Sequence, residues 1–152
     1  MKKTSSYVNR NYYTISLMFT FLIFLSLIII ILFSANSISL IYIKNLFSFV
    51  CHQIPERSFY INGNPMIICS RCFGIYTGIT TLLLLSLFLK SIHQYILKIN
   101  LKFILIFALP LLIDWITNFL LSINFSNIVH FLTGIIFSII PTYFILKLNY
   151  ND

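Results

Sequence analysis

The chain has 152 residues, 59% of them hydrophobic and only 9% charged. A soluble domain carries about 25% charged residues, so this composition excludes an ordinary soluble fold and makes the lipid bilayer the first partner. The net charge of +7 does not indicate nucleic acid, because the basic residues form no cluster with interleaved aromatics and stand instead at the ends of apolar runs.

Four such runs are long enough to cross a hydrocarbon core of about 30 Å, which takes roughly 20 helical residues. Residues 1–13 form a basic tail before the first run, 14–34, which carries no charge. Its 21 apolar positions exceed the roughly 7–15 of a signal-peptide core. It is therefore read as a retained helix, with Ser34-Ala35-Asn36 the nearest thing to a cleavage site. Residues 38–50 are apolar but too short to span, which predicts an interfacial or re-entrant helix. The second run covers 66–89, the third 103–123 with Pro110 and Asp114 inside it, and the fourth 126–146 with His130 and Pro141. Backbone amides in lipid must be satisfied within their own segment. The expected fold class is therefore all-α, one four-helix transmembrane domain over 14–148.

Basic flanks set the orientation. With the N-terminus inside, Lys2, Lys3, Arg10, Lys90, Lys98, Lys102 and Lys147 are cytoplasmic, and only Lys44, Arg57 and Arg71 lie outside. Both termini are then predicted in the cytoplasm of a cell membrane protein, with residues 51–72 on the outer face. His93 falls in the inner loop as a solvated group.

That outer stretch, CHQIPERSFYINGNPMIICSRC, holds all three cysteines of the chain. Pro55 and Asn62-Gly63-Asn64-Pro65 mark turns within it. Cys69 and Cys72 form a C-x-x-C, a spacing that suits either one soft metal ion or a dithiol–disulfide pair. Cys51 and His52 add a third thiol and an imidazole. The set Cys51, His52, Cys69 and Cys72 has the composition of a Cys₃His zinc site, with His130 an alternative fourth ligand. A stapling disulfide is ordinary outside the cell, but three cysteines leave one thiol over.

The third helix ends near Ser122, which puts Asp114 about 12 Å below the outer surface at 1.5 Å per residue. His130 lies about one turn down the returning helix. A carboxylate in a spanning helix costs about 2.5–3.5 kcal/mol on insertion scales, so Asp114 is expected to face a partner, Arg71 or His130. Glu56, Asp114 and His130 are the candidates for moving protons, and Arg57 and Arg71 for binding an anion such as a lipid phosphate. Gly74 and Gly78, four residues apart, predict close packing of the second helix on a neighbour.

The motif CHQIPERSF followed by CSRCFGIYTG resembles a family of small polytopic bacterial membrane proteins of unknown function. Its pattern is Cys-His-Gln-x-Pro-x-Arg-Ser-Phe, then Cys-x-Arg-Cys-x-Gly-Ile-Tyr-x-Gly. The resemblance further implies Asp-Gly in the third helix and Asn-x-x-Arg-x-x-Thr-Gly in the fourth. Here Asp114 is followed by Trp115, and Asn127, Thr133 and Gly134 match while His130 stands where the family has Arg. That departure favours His52 over His130 as the fourth ligand.

Three functions from different classes fit these residues. The leading one is a thiolate-rich metal site, zinc by its donors, either structural or supporting an unidentified activity. The second is a membrane thiol–disulfide oxidoreductase using Cys69 and Cys72. The third is a small transporter or metal carrier, which at this size needs a homo-oligomer. No reaction or substrate is assigned by the sequence.

Overall fold

Prolines and glycines decide where the apolar runs begin, break and touch. The computed structural model describes residues 10–34, 44, 45, 47–120 and 125–148, with backbone alone for 10–17, 32–34, 90–93, 101 and 148. The predicted interfacial helix at 38–50 lies mostly outside these residues, as do the tail up to residue 9, the end of the third run at 121–123 and the side chain of His93.

Helix α1 spans Arg10–Ser34. The chain then turns over Ser48–Val50, with Cys51 N donating to Phe47 O at 2.9 Å. A 3₁₀ turn over Pro55–Arg57 starts at a proline, whose missing N–H costs nothing at that position. A two-residue hairpin follows, β1 (Tyr60–Ile61) antiparallel to β2 (Asn64–Pro65), with Tyr60 opposite Pro65. Asn62 and Gly63 make its tip at φ 52° and 79°. This is the positive-φ pair that an Asn-Gly hairpin turn needs, so the sequence signal for a turn here resolves into a hairpin.

Helix α2 runs over Ser70–Phe88 with Cys69 at its N-cap. The expected start at residue 66 is corrected: Met66, Ile67 and Ile68 are buried but not helical. Met66 and Ile68 form the core of the cysteine loop, packing with Ile30 of α1 and with Cys51. Met66 N bonds Phe59 O at 2.7 Å, continuing the hairpin ladder instead of a helix.

A short helix α3, Lys90–Lys98, replaces the expected inner loop. It buries Ile96 against Ile79, Leu83, Ile104, Tyr143 and Leu146, the core at that end of the bundle. The third run comprises α4 (Leu101–Ile104), a 3₁₀ segment (Leu105–Ala108) and α5 (Leu109–Leu120). The tightened segment includes Ile106, whose carbonyl lies four residues before Pro110, where a proline ring clashes with an α-helical backbone. The fourth run also breaks ahead of a proline, at Ser138 three residues before Pro141, into α6 (Asn127–Phe137) and α7 (Ile139–Leu148).

Among the described residues, Ser70–Phe88, Lys102–Leu120 and Asn127–Lys147 are long and apolar enough to cross a membrane, and Met18–Ile31 is a shorter apolar helix. Their outward Phe, Leu and Ile side chains are widely exposed, among them Phe21, Phe88, Phe119 and Ile128. A lipid-facing surface has that character.

Helices α2 and α6 pack closest of all, because both are notched by glycine. A Cβ on Gly74 would lie 2.2 Å from the Phe131 carbonyl oxygen, and one on Gly134 would lie 2.3 Å from that of Arg71. Gly78 faces the Ser138 side chain instead. The small-residue reading of Gly74 and Gly78 thus extends to Gly134 on the partner helix. Gly74→Ala, Gly78→Ala and Gly134→Ala should each cost about 1–3 kcal/mol through overpacking, since the Ser138 Cβ, 2.7 Å from a Cβ on Gly78, cannot rotate away as its hydroxyl can. Unfolding in mixed SDS–maltoside micelles would measure the losses.

Candidate metal centre and the buried ion cluster

The cysteine loop is tied to the helices by polar bonds. Ser70 Oγ donates to Arg57 O at 2.8 Å, Asn127 Nδ2 to Ser58 O at 2.9 Å, and Ser58 Oγ to Ile54 O at 3.0 Å. Phe59 of the loop, Phe73 of α2 and Phe131 of α6 stack as a trio with centroids 5.6–6.2 Å apart. These contacts clamp the segment carrying Cys51 against the N-terminus of α2.

The result is a cluster of three sulfurs. The Sγ atoms of Cys51, Cys69 and Cys72 all lie within 4.8 Å of one another, and all three cysteines are free. Sulfurs bound tetrahedrally at about 2.3 Å from one zinc ion sit roughly 3.8 Å apart, so the triad needs only a small contraction to hold one. Two backbone amides already point at the Cys51 sulfur, Cys69 N at 3.2 Å and Gln53 N at 3.4 Å. Gln53 reaches that position through a positive φ of 52°. Side-chain hydrogen bonding to Cys69, then to Cys72, holds the Cys51 thiol far below the ordinary thiol range. Bonding to Cys51 pushes the Cys69 thiol up. A shared proton economy of this kind makes Cys51 the first thiolate of the set. Ile30, Met66 and Ile68 wall the cluster with apolar atoms.

The two histidines do not join the sulfurs. His52 is exposed beside the buried Cys51 and falls outside the group of ligand atoms. His130 is 1% exposed and its Nδ1 faces the Asp114 carboxylate at 2.8 and 3.0 Å. The carboxylate is an acceptor, so Nδ1 carries the proton, and His130, the alternative fourth ligand, falls outside the group of ligand atoms as His52 does.

Asp114, 3% exposed, is the centre of a second cluster. Arg71 Nε donates to its Oδ2 at 2.5 Å and Arg71 Nη2 to its backbone oxygen at 3.2 Å. Thr133 Oγ1 lies 3.3 Å from Oδ2. A carboxylate on α5 is therefore answered by an arginine on α2 and a histidine on α6, as the common depth of Asp114 and His130 predicts. Arg71 is the link between the two clusters, since it stands inside the C-x-x-C. Its charge is taken by Asp114, which removes it as a free anion ligand. Glu56 is exposed and makes no ion pair among the described residues. Arg57 donates through Nη2 to Asn118 Oδ1. Thr133 was legible only through the family resemblance, and Asn118 only by its spacing of four from Asp114.

Three membrane-length helices closing over a cysteine triad and a buried Arg–Asp–His cluster define a helical integral membrane protein with a built polar site at one end. The family comparison agrees: residues 51–144, well over half the chain, match the model of the family described as "Predicted membrane protein (DUF2085)", and the chain belongs to that family. It is 45% identical over 49 residues to "Uncharacterized protein MJ1492" of Methanocaldococcus jannaschii, covering 32% of this chain and 31% of that one. It is 49% identical over 35 residues to an "Uncharacterized protein" of Methanothermobacter thermautotrophicus, covering 23% and 32%. The matches thus span about a third of each relative's length. Both relatives are archaeal, where the sequence resemblance had implied a bacterial family. No solved structure matches.

Proposed function

We propose that this chain is a four-span membrane protein that carries a thiolate metal centre, zinc by its donor set, on the extracytoplasmic face. The observation that carries the reading is the meeting of Cys51, Cys69 and Cys72 within 4.8 Å. They come from a loop and a helix start 18 residues apart. A dithiol redox pair needs no third sulfur, whereas a tetrahedral ion needs ligands from separate segments. The amides aimed at the Cys51 sulfur support a thiolate there, since a metal-bound thiolate is likewise steadied by such donors.

The ion closes the outer loop over the α2–α6 pair, a structural role. Its fourth position falls to His52 or to water, and His52→Ala separates the two: loss of metal assigns the histidine, retention assigns water. Metal analysis of detergent-purified protein with a free-thiol count tests the whole reading. One zinc per chain with three protected thiols supports it; no metal with one free thiol favours the oxidoreductase.

The first span is α1, and the seven-to-three distribution of basic residues supports cytoplasmic termini with the cysteine loop outside. Alkaline phosphatase fused after Asn64 should be active and after Asp152 inactive. The opposite pattern would invert the topology and move the site to the cytoplasm.

A further inference from the structure

Beside the two clusters stands an arginine without a counter-charge. The chain has three acidic residues in all, Glu56, Asp114 and Asp152. Asp114 is engaged by Arg71 and His130. Glu56 is exposed on the same turn as Arg57 and pairs with nothing among the described residues. Asp152 ends the chain, outside the described residues. Arg57 is half-buried, and the side-chain group that its guanidinium meets is the neutral Asn118.

Asn118 supplies the second observation. It is 6% exposed, and its Nδ2 is the one buried side-chain polar atom among the described residues that has no hydrogen-bond partner. Turning the amide over does not help. Arg57 is donor-only, so the atom facing it must be the oxygen, and the N–H₂ remains the orphan. A buried donor left unmade is costly. The Arg57 carbonyl is held by Ser70, the Ser58 carbonyl by Asn127, and the 3₁₀ turn is closed by Ser58. These bonds pin the loop backbone so that Arg57 sets its cation on the amide that carries the unpaired donor, and both groups ask for an acceptor. Asn118 lies one helical turn beyond Asp114 on α5, about 6 Å nearer the end of the third run at 1.5 Å per residue. In a spanning helix that is the depth of lipid headgroups.

We propose that Arg57 and Asn118 form an oxyanion site that takes a phosphate-class group, with Asn118 Nδ2 and the free guanidinium N–H groups as donors. Arginine suits such a ligand because its planar fork matches two phosphate oxygens. The inference narrows the anion role to these residues. It rests on the membrane reading above for its depth but not on the metal.

The test is thermal unfolding in maltoside micelles, titrated separately with short-chain phosphatidylglycerol, with diacylglycerol of the same chains and with inorganic phosphate. The proteins are wild type, Arg57→Gln, Asn118→Leu, Asn118→Ala in case the leucine does not fold, and Lys44→Gln as a control for surface charge. Wild type and Lys44→Gln should be stabilised by the phospholipid and not by diacylglycerol. The Arg57 and Asn118 variants should bind at least about tenfold more weakly, the scale of one lost charged hydrogen bond. A response to phosphatidylglycerol alone assigns a lipid headgroup, and an equal response to inorganic phosphate assigns the free ion. The proposal is overturned if no phosphate probe stabilises the wild type, if the variants bind as it does, or if Lys44→Gln loses as much. Metal content measured on the same samples keeps the readings apart, since full metal without an anion response defeats this inference alone.

Discussion

Replacing Asp114 by Ala should destabilise the protein by about 3–5 kcal/mol, the cost of removing one partner from a buried ion pair. The substitution strands Arg71, whose side chain is only 15% exposed, and leaves the His130 Nδ1 proton without its acceptor. In a bilayer no water replaces that acceptor. The damage should also reach the cysteines, because Arg71 sits between two of them in the first turn of α2. Metal affinity should therefore fall roughly 10–100-fold, as when an outer-shell partner of a metal site is lost. The double replacement Arg71→Met with Asp114→Leu removes both charges together and should recover most of the stability. Unfolding in mixed SDS–maltoside micelles, with metal content measured in parallel, distinguishes these results. A loss under 1 kcal/mol for Asp114→Ala would mean that the carboxylate is not the centre of the cluster.

The second large effect falls on the cysteines. Cys51→Ser, Cys69→Ser and Cys72→Ser should each reduce bound metal well below one per chain and lower stability together with it. With free zinc at about 100 times its dissociation constant, binding to the folded state alone adds about 2.7 kcal/mol, and each variant forfeits that contribution. Cys51→Ser should be the most damaging, because the amides of Gln53 and Cys69 both converge on its sulfur. A chelator should bring the wild type down toward the variants while leaving the variants where they are. If chelator and substitution add instead, the serine acts through packing among Ile30, Met66 and Ile68, not through a lost ligand.

Much of this arrangement is legible in the chain before it folds, for reasons that differ by element. The helices of the second, third and fourth runs follow from apolar length, and their breaks from Pro110 and Pro141. Asp114 and His130 could be matched because helical rise converts position into depth. The Asn62-Gly63 turn was legible from the special backbone it needs. The start of α2 was not: hydrophobicity cannot tell Met66–Ile68 buried in a loop from the same residues in a helix. Residue type made His130 a possible metal donor, but which group a histidine faces depends on the helix opposite, and α5 brings a carboxylate to it. Gly134 and Asn118 owe their weight to contacts across helices, which no local pattern encodes. The short helix α3 was taken for a loop because the contact that buries it, Ile96 against Ile79, Leu83 and Leu146, is tertiary.

The central claim is that three cysteines from two segments bind one ion. X-ray absorption at the zinc edge on purified protein reads it most directly. The expected spectrum has three sulfur scatterers at about 2.3 Å with one nitrogen or oxygen at about 2.0–2.1 Å, at one zinc per chain. A protein with no bound metal and a Cys69–Cys72 disulfide, or zinc with fewer than three sulfurs, would contradict it.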